Sequence, residues 1–269
     1  MSAMHLSISI NCPRRDGLTQ SLLRRLRLHT DKERFLERRS KEETAVTTIF
    51  EKTLKCPVCE TEFETSTVAS TNQVSAHTDF KPVAMGVQPY FFFVHTCPNC
   101  FYSAYEEGFE DEIDSEIADS IRAEMVPYKD RFGPMEPSPS YKYLFAAICA
   151  EASDLAYTTI ADLYLRGAWC AAEEGETELE GRMREEAVEN YIKGLDAGEV
   201  EKEERAQITY LIGELLRRLG RAEESKIWFE KVSSEIIDSK EQKWLLQAAK
   251  QQSSEPKEFF EDFLKDSAV

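Results

Sequence analysis

Two cysteine pairs constrain this chain more than any other feature: Cys56-Pro57-Val58-Cys59 and, after 37 intervening residues, Cys97-Pro98-Asn99-Cys100. A Cys-x-x-Cys turn presents two sulfurs on one side of a tight loop. Two such loops face to face make a tetrahedral cage for a divalent ion, with Zn–S bonds of about 2.3 Å. The expected cofactor is Zn2+, with Cys56, Cys59, Cys97 and Cys100 as its ligands. Metal binding displaces four protons, and the cation then holds four buried anions together. The insert between the pairs exceeds the usual spacing of about 15–20 residues. Loop closure tolerates this because its entropic cost rises slowly with length.

Other chemistries of the same residues fit less well. A thioredoxin-like redox site places one pair at the start of a helix beside a parallel sheet, and no βαβ pattern surrounds either pair. A disulfide framework needs an oxidising compartment, which nothing in the composition supports. Catalytic zinc keeps a position open, whereas four cysteines fill the shell and describe a closed structural site. His77 and His95 lie in the same stretch and are not needed as ligands. Glu60 and Phe101 occupy the positions where such knuckles often carry glycine, which bears on the turn geometry. Cys149 and Cys170 fall in apolar helical stretches, where cysteine behaves as a small hydrophobe. Cys12 is a free thiol.

Around the cysteines, residues 48–110 read as a small β unit. Thr65 to Val74 is rich in Ser, Thr and Val, and Tyr90-Phe91-Phe92-Phe93-Val94-His95 is a compact aromatic run, both suited to strands. Residues 1–47 read as a basic, disordered extension in which Leu18, Leu22, Leu23 and Leu26 sit at helical spacing. Helical periodicity starts at Asp111, with Ile113, Ile117, Ile121 and Met125, and is expected to stop at Val126-Pro127. Gly133 to Pro139 is a proline-rich linker. Residues 111–252 form a helical domain, and 253–269 an acidic tail. The fold class is mostly α, α+β overall.

Within the helical part, Tyr141, Leu144, Phe145, Ile148, Cys149 and Ala152 share one face, and Ile208, Leu211, Ile212, Leu215, Leu216 and Leu219 repeat the rhythm. Gly175, Gly198 and Gly220 punctuate helix ends. Ile212-Gly213, Leu216, Gly220, Phe229 and Val232 carry the spacing of a tetratricopeptide repeat, in which a small residue lets two helices approach. A second copy through Gly167, Gly175, Ala187, Tyr191 and Gly194 needs about seven extra residues around Glu176 to Arg182. Such arrays present a groove to a protein or peptide partner. The candidate lining is Tyr157, Tyr164, Trp169, Tyr210, Arg217 and Arg218, since aromatics and Arg supply much interface energy.

Charge excludes some partners. Residues 1–55 hold 12 Lys/Arg against 7 Asp/Glu, so the remainder of a chain with 33 and 50 carries 21 against 43. Residues 51–109 pair Lys52, Lys55 and Lys81 with seven acids, the wrong sign for a phosphate-binding face. A nucleic-acid or nucleoprotein-associated ribbon is therefore the alternative to an adaptor, and thiol redox chemistry the second. No Gly-rich phosphate loop, Gly-x-Ser-x-Gly elbow or His-Glu-x-x-His pair is present, so no catalytic constellation is expected. No apolar run approaches the roughly 20 residues of a membrane helix, and no secretory signal opens the chain. The expected setting is the cytoplasm.

The cysteine turns, His77-Thr78-Asp79-Phe80 leading to Pro89-Tyr90, Asp162 to Trp169 and Thr209 to Gly220 together resemble a bacterial family of uncharacterised proteins. The resemblance covers about Thr53 to Val232. It implies a zinc-ribbon-like unit joined to a tetratricopeptide-like helical half, and it implies no activity.

Overall fold

The computed structural model describes residues 48–133, 135–237, 242–260 and 262. The expected basic extension at 1–47, with Cys12, and the last residues of the expected tail lie outside them. Among the described residues are three two-stranded antiparallel sheets and seven α-helices. The sheets pair β1 (Thr48–Lys55) with β2 (Glu62–Ser70), β3 (Gln73–Ala76) with β4 (Pro82–Ala84), and β5 (Val94–Thr96) with β6 (Ser103–Tyr105). The helices are α1 (Ser115–Phe132), α2 (Pro139–Ala152), α3 (Tyr157–Glu174), α4 (Thr177–Asp196), α5 (Lys202–Arg218), α6 (Ala222–Glu235) and α7 (Lys243–Ser254). The described residues are mostly helical, with their strands all before residue 106, as the patterning predicts.

Two apolar cores organise these elements, and α2 belongs to both. Phe145 and Cys149 are buried beside the four cysteines, Leu54, Phe101, Phe109 and the α1 residues Ala118, Ile121 and Met125. The other side of α2, with Tyr143, Ala146, Ala147 and Ala150, is buried against α3 and the larger core. A helix apolar on two faces must be covered on both, so a single predicted stripe captured half of its packing. The boundary expected near residue 110 separates strands from helices but not cores: Ala76, Phe80, Tyr90 and Val94 of the β unit are packed in the helical core.

Four local expectations are corrected. Helix α1 begins at Ser115 rather than Asp111 and runs through Pro127 to Phe132. A helix-interior proline costs about 3 kcal/mol, but Tyr128 and Phe132 beyond it pack on Phe145 at 4.8 and 5.8 Å between ring centroids, and that burial holds the last turn. Pro89–Phe92 is a 3-10 turn rather than a strand, because Pro89 starts it with a preset φ and Tyr90 is buried against Trp169. The stretch Thr65 to Val74 is broken at Thr71-Asn72 into β2 and β3. The extra residues expected between two repeat helices, Glu176 to Arg182, are instead almost all the first turns of α4.

The segment read as a tail is partly core. Phe260 is 1% exposed and stacks on Phe80 at 5.4 Å. Thr78 N–H donates to the Glu258 carbonyl at 3.0 Å and Phe260 N–H to the Ala76 carbonyl at 3.2 Å, which sets Phe259 opposite His77 as an added antiparallel bridge. Acidic composition hid two phenylalanines with a sheet edge to cover.

Glycines fall where predicted. Gly175, Gly198 and Gly220 have φ of 77°, 74° and 76°, the left-handed region that ends helices cheaply with glycine. Gly213 and Gly167 serve contact instead. A Cβ on Gly213 would meet Phe229 of α6 at 2.8 Å, and one on Gly167 would run into the end of the Met183 side chain of α4, so each lets a helix press against the next one in sequence.

Candidate metal centre

The two knuckles are copies of one turn. In the first, Glu60 N–H donates to the Cys56 carbonyl at 2.8 Å and Cys56 N–H to Thr61 at 2.9 Å; in the second, Phe101 N–H donates to Cys97 and Cys97 N–H to Tyr102, both at 2.9 Å. Each turn needs a left-handed residue just after its second cysteine. Glu60 and Phe101 supply it at φ 59° and 63° without being glycine, at a cost of about 1–2 kcal/mol each. The missing glycines thus leave the turn geometry intact and strained. Strands β1 and β2 flank the first knuckle, and β5 and β6 the second.

Face to face, the turns bring all four sulfurs within 4.8 Å of one another. The closest approaches run between knuckles, Cys56 to Cys100 and Cys59 to Cys97, both 3.5 Å. That is far beyond a disulfide bond of about 2.05 Å and near the edge of a tetrahedron with arms of about 2.3 Å, roughly 3.8 Å. The four cysteines therefore fit a metal ion in the arrangement expected of them. Cys56, Cys97 and Cys100 are buried and Cys59 is half-buried.

Electrostatics shows why the cluster suits a cation. Hydrogen bonds from Cys100 and Cys56 hold Cys97 as a thiolate, down to about 2. Hydrogen bonding to Cys56 and Cys97, with burial behind it, drives Cys100 far above the ordinary thiol range. One negative charge is shared, and four cannot coexist without a positive ion among them.

A polar shell supports the knuckles. Thr61 Oγ1 lies 3.3 Å from Cys59 Sγ and accepts from Asn99 Nδ2 at 3.2 Å, tying one knuckle to the other. Arg122 of α1 donates to the Val58 carbonyl and pairs with Asp119, so α1 is fastened to the first knuckle. Neither histidine of the region joins the cluster. His95 Nδ1 is 3.0 Å from Thr65 Oγ1 and His77 Nδ1 is 2.8 Å from Glu258. Burial lowers His95 to about 4, so it is neutral at pH 7. Cys149 and Cys170 are buried, and burial raises both thiols, Cys149 to about 12.

The residues predicted to line a groove are not gathered on one open face. Tyr157 is 40% exposed. Tyr164, Trp169 and Tyr210 are core residues; the Tyr164 hydroxyl donates to Glu151 and that of Tyr210 to the Thr78 carbonyl. Arg217 and Arg218 both donate to Glu214 at 2.8 Å. Asp79 accepts from the Lys81 N–H at 3.3 Å, which braces the turn between β3 and β4, and stands 3.6 Å from Arg218. Sequence reasoning passed over Arg166 and Glu214, whose signal is a charged residue inside an otherwise apolar helical run.

Among the described residues, no helix is long and apolar enough to cross a membrane. No curated protein and no solved structure matches the chain. The family model described as "Uncharacterized protein conserved in bacteria (DUF2225)" matches residues 49–255, a span that takes in the four cysteines and all seven helices, and the chain belongs to that family.

Proposed function

We propose that this is a zinc-dependent protein-interaction protein, an adaptor in which a closed four-cysteine zinc site braces a helical array. The observation that carries the reading is the sulfur cage itself: four thiol groups within 4.8 Å of one another, with no histidine or carboxylate among them in the described residues. Borderline-soft Zn2+ suits all-thiolate tetrahedral sites. Its task is structural. The two-stranded sheets β1–β2 and β5–β6 bury too little apolar surface to hold themselves together, and the ion ties their knuckles to one another beside α1 and α2.

The helical half supplies the binding role. Helices α3 with α4 and α5 with α6 approach closely at Gly167 and Gly213, the contact on which tetratricopeptide-like pairs are built. Successive pairs leave exposed helix faces for a protein or peptide, and Tyr157 is the one predicted lining residue open to it. The acidic surface argues against nucleic acid as that partner.

The test is native mass spectrometry with elemental analysis on the full chain, combined with alkylation of its cysteines. One zinc per chain, with Cys56, Cys59, Cys97 and Cys100 protected, is the expected result. A metal-free chain with reactive Cys56 and Cys59 would overturn the zinc reading in favour of dithiol redox chemistry.

A further inference from the structure

Arg166 interrupts the apolar stretch Leu163-Tyr164-Leu165-Arg166-Gly167-Ala168-Trp169 of α3 with a permanent cation. It is 7% exposed. The groups that act most strongly on its charge are Tyr105 at the end of β6, Asp162 one turn back on α3, Tyr143 of α2 and Tyr191 of α4. Its Cζ stands 5.8 Å from the centre of the Trp169 ring.

Two of the surrounding hydroxyls give their protons to other acceptors. Tyr191 donates to Asp162, and the Tyr143 hydroxyl donates to the Tyr90 carbonyl at 2.9 Å. Among the described residues no oxygen accepts a hydrogen bond from Arg166 and no carboxylate stands within 4.0 Å of it. Trp169 Nε1 beside it is buried and also without a partner. The Tyr105 hydroxyl makes no hydrogen bond either. Guanidinium and indole N–H groups can only donate. Two donor-only groups side by side define what is missing by complement, an acceptor.

Buried charges are normally paired, so the acceptor carries negative charge. A planar two-oxygen head matches the guanidinium fork. A single cation, with the Asp162 carboxyl close by, suits one negative charge and disfavours the two of a phosphate. Rings of Tyr105, Tyr143 and Trp169 stand beside the charge, and apolar walls of this kind favour an apolar or aromatic body behind the head. Tyr105 and Asp162 are half-buried, which puts the open side of the cluster there.

We propose that Arg166, Trp169 and Tyr105 form a binding site for the carboxylate of an aromatic or apolar acid, whether a free organic acid or the last residue of a peptide. The site goes beyond the adaptor reading and does not rest on the zinc.

The experiment is titration calorimetry on the full chain as purified, with benzoate, benzamide, an N-acetylated tripeptide ending in phenylalanine, its C-terminal amide, and inorganic phosphate. Each acid is expected to bind more than about tenfold tighter than its amide, since the charge-assisted fork is lost in the neutral form. Benzoate above tripeptide assigns a small acid, and the reverse a chain end. Arg166→Met is expected to abolish binding, because it removes the fork that holds the carboxylate. Arg166→Lys keeps charge without the fork and weakens binding. Acids that bind no better than amides at millimolar concentration, phosphate that matches the acids, or binding that survives in Arg166→Met would each overturn the proposal.

Discussion

Glu214, with no exposed surface one turn from the end of α5, accepts a 2.8 Å hydrogen bond from the hydroxyl of Thr78, 136 residues earlier in the chain. The same carboxylate accepts from Arg217 and Arg218, and from Gln252 of α7 at 3.0 Å. A buried charge supplied with this many donors is stable where it is, and it fastens α5, α7 and the β3–β4 turn to one another. Replacing it strands two guanidinium groups. Glu214→Gln is expected to cost about 3 kcal/mol, measured by equilibrium urea unfolding. Arg217→Ala, at the more exposed end of the cluster, is expected to cost under about 1 kcal/mol.

The two strained knuckle residues have opposite fates on mutation to glycine. Glu60 is exposed and its left-handed backbone is pure cost, so Glu60→Gly is expected to be neutral or to stabilise by up to about 1 kcal/mol. Phe101 has the same backbone strain but is buried and stacked on Phe145 at 5.5 Å. Phe101→Gly is expected to lose about 3–5 kcal/mol, and thermal melts of the two variants side by side check the contrast.

Gly213 is a contact residue rather than a turn. Gly213→Ala drives a methyl group to 2.8 Å from the Phe229 ring, which has no flexible end to give way. The expected cost is about 1–3 kcal/mol despite the better helix propensity of alanine. Gly181→Ala in α4 meets nothing within 4 Å and is expected to stabilise by about 0.5–1 kcal/mol; denaturation midpoints of both decide it.

Asp79 sets part of the acid limb of stability. Burial opposes its ionisation, but Arg218, with Arg184, His77 and the Lys81 N–H, outweighs that and holds the carboxyl below its ordinary range. A depressed folded-state value means the contribution is present above the ordinary carboxyl range and is lost as pH falls through the folded value. Asp79→Asn is expected to flatten the fall in melting temperature between pH 6 and the acid limit, and an unchanged slope would contradict the assignment.

Metal removal tests the brace. A chelator strong enough to strip a bound metal, or Cys97→Ser, is expected to lower metal content and unfold the core around the four cysteines, while the β3–β4 turn and α3 to α6 keep their packing and most of the far-ultraviolet helical signal. Because α1 shares its core with the cysteines, its turns are expected to lose hydrogen-exchange protection in the same step.

What the sequence made legible follows from which forces are local. Cysteine spacing identified the cage because a knuckle is a short-range object, complete within six residues. Helical periodicity located α2 and α5, and glycine placed the helix ends, for the same reason. Pro127 misled because local cost was outweighed by the packing of Phe132 on Tyr141 and Phe145. The second face of α2 was masked by small alanines, which read as filler until α3 is set against them. Arg166 carries no periodic signature at all, and the charge of residues 253–269 concealed Phe260.

The bridge between His77 and Phe259 orders events in time. Every residue of the metal-centred core has been made once the chain reaches α2, so that core can close early during synthesis. The larger core cannot, since Phe80, Tyr210 and Trp244 lack their contact with Phe260 until the chain has reached that residue, and the hydrogen bond between His77 and Glu258 spans 181 residues. Between those two moments the nascent chain carries an open aromatic surface. A premature stop before residue 257 is expected to leave the four-cysteine core complete and the larger core without Phe260.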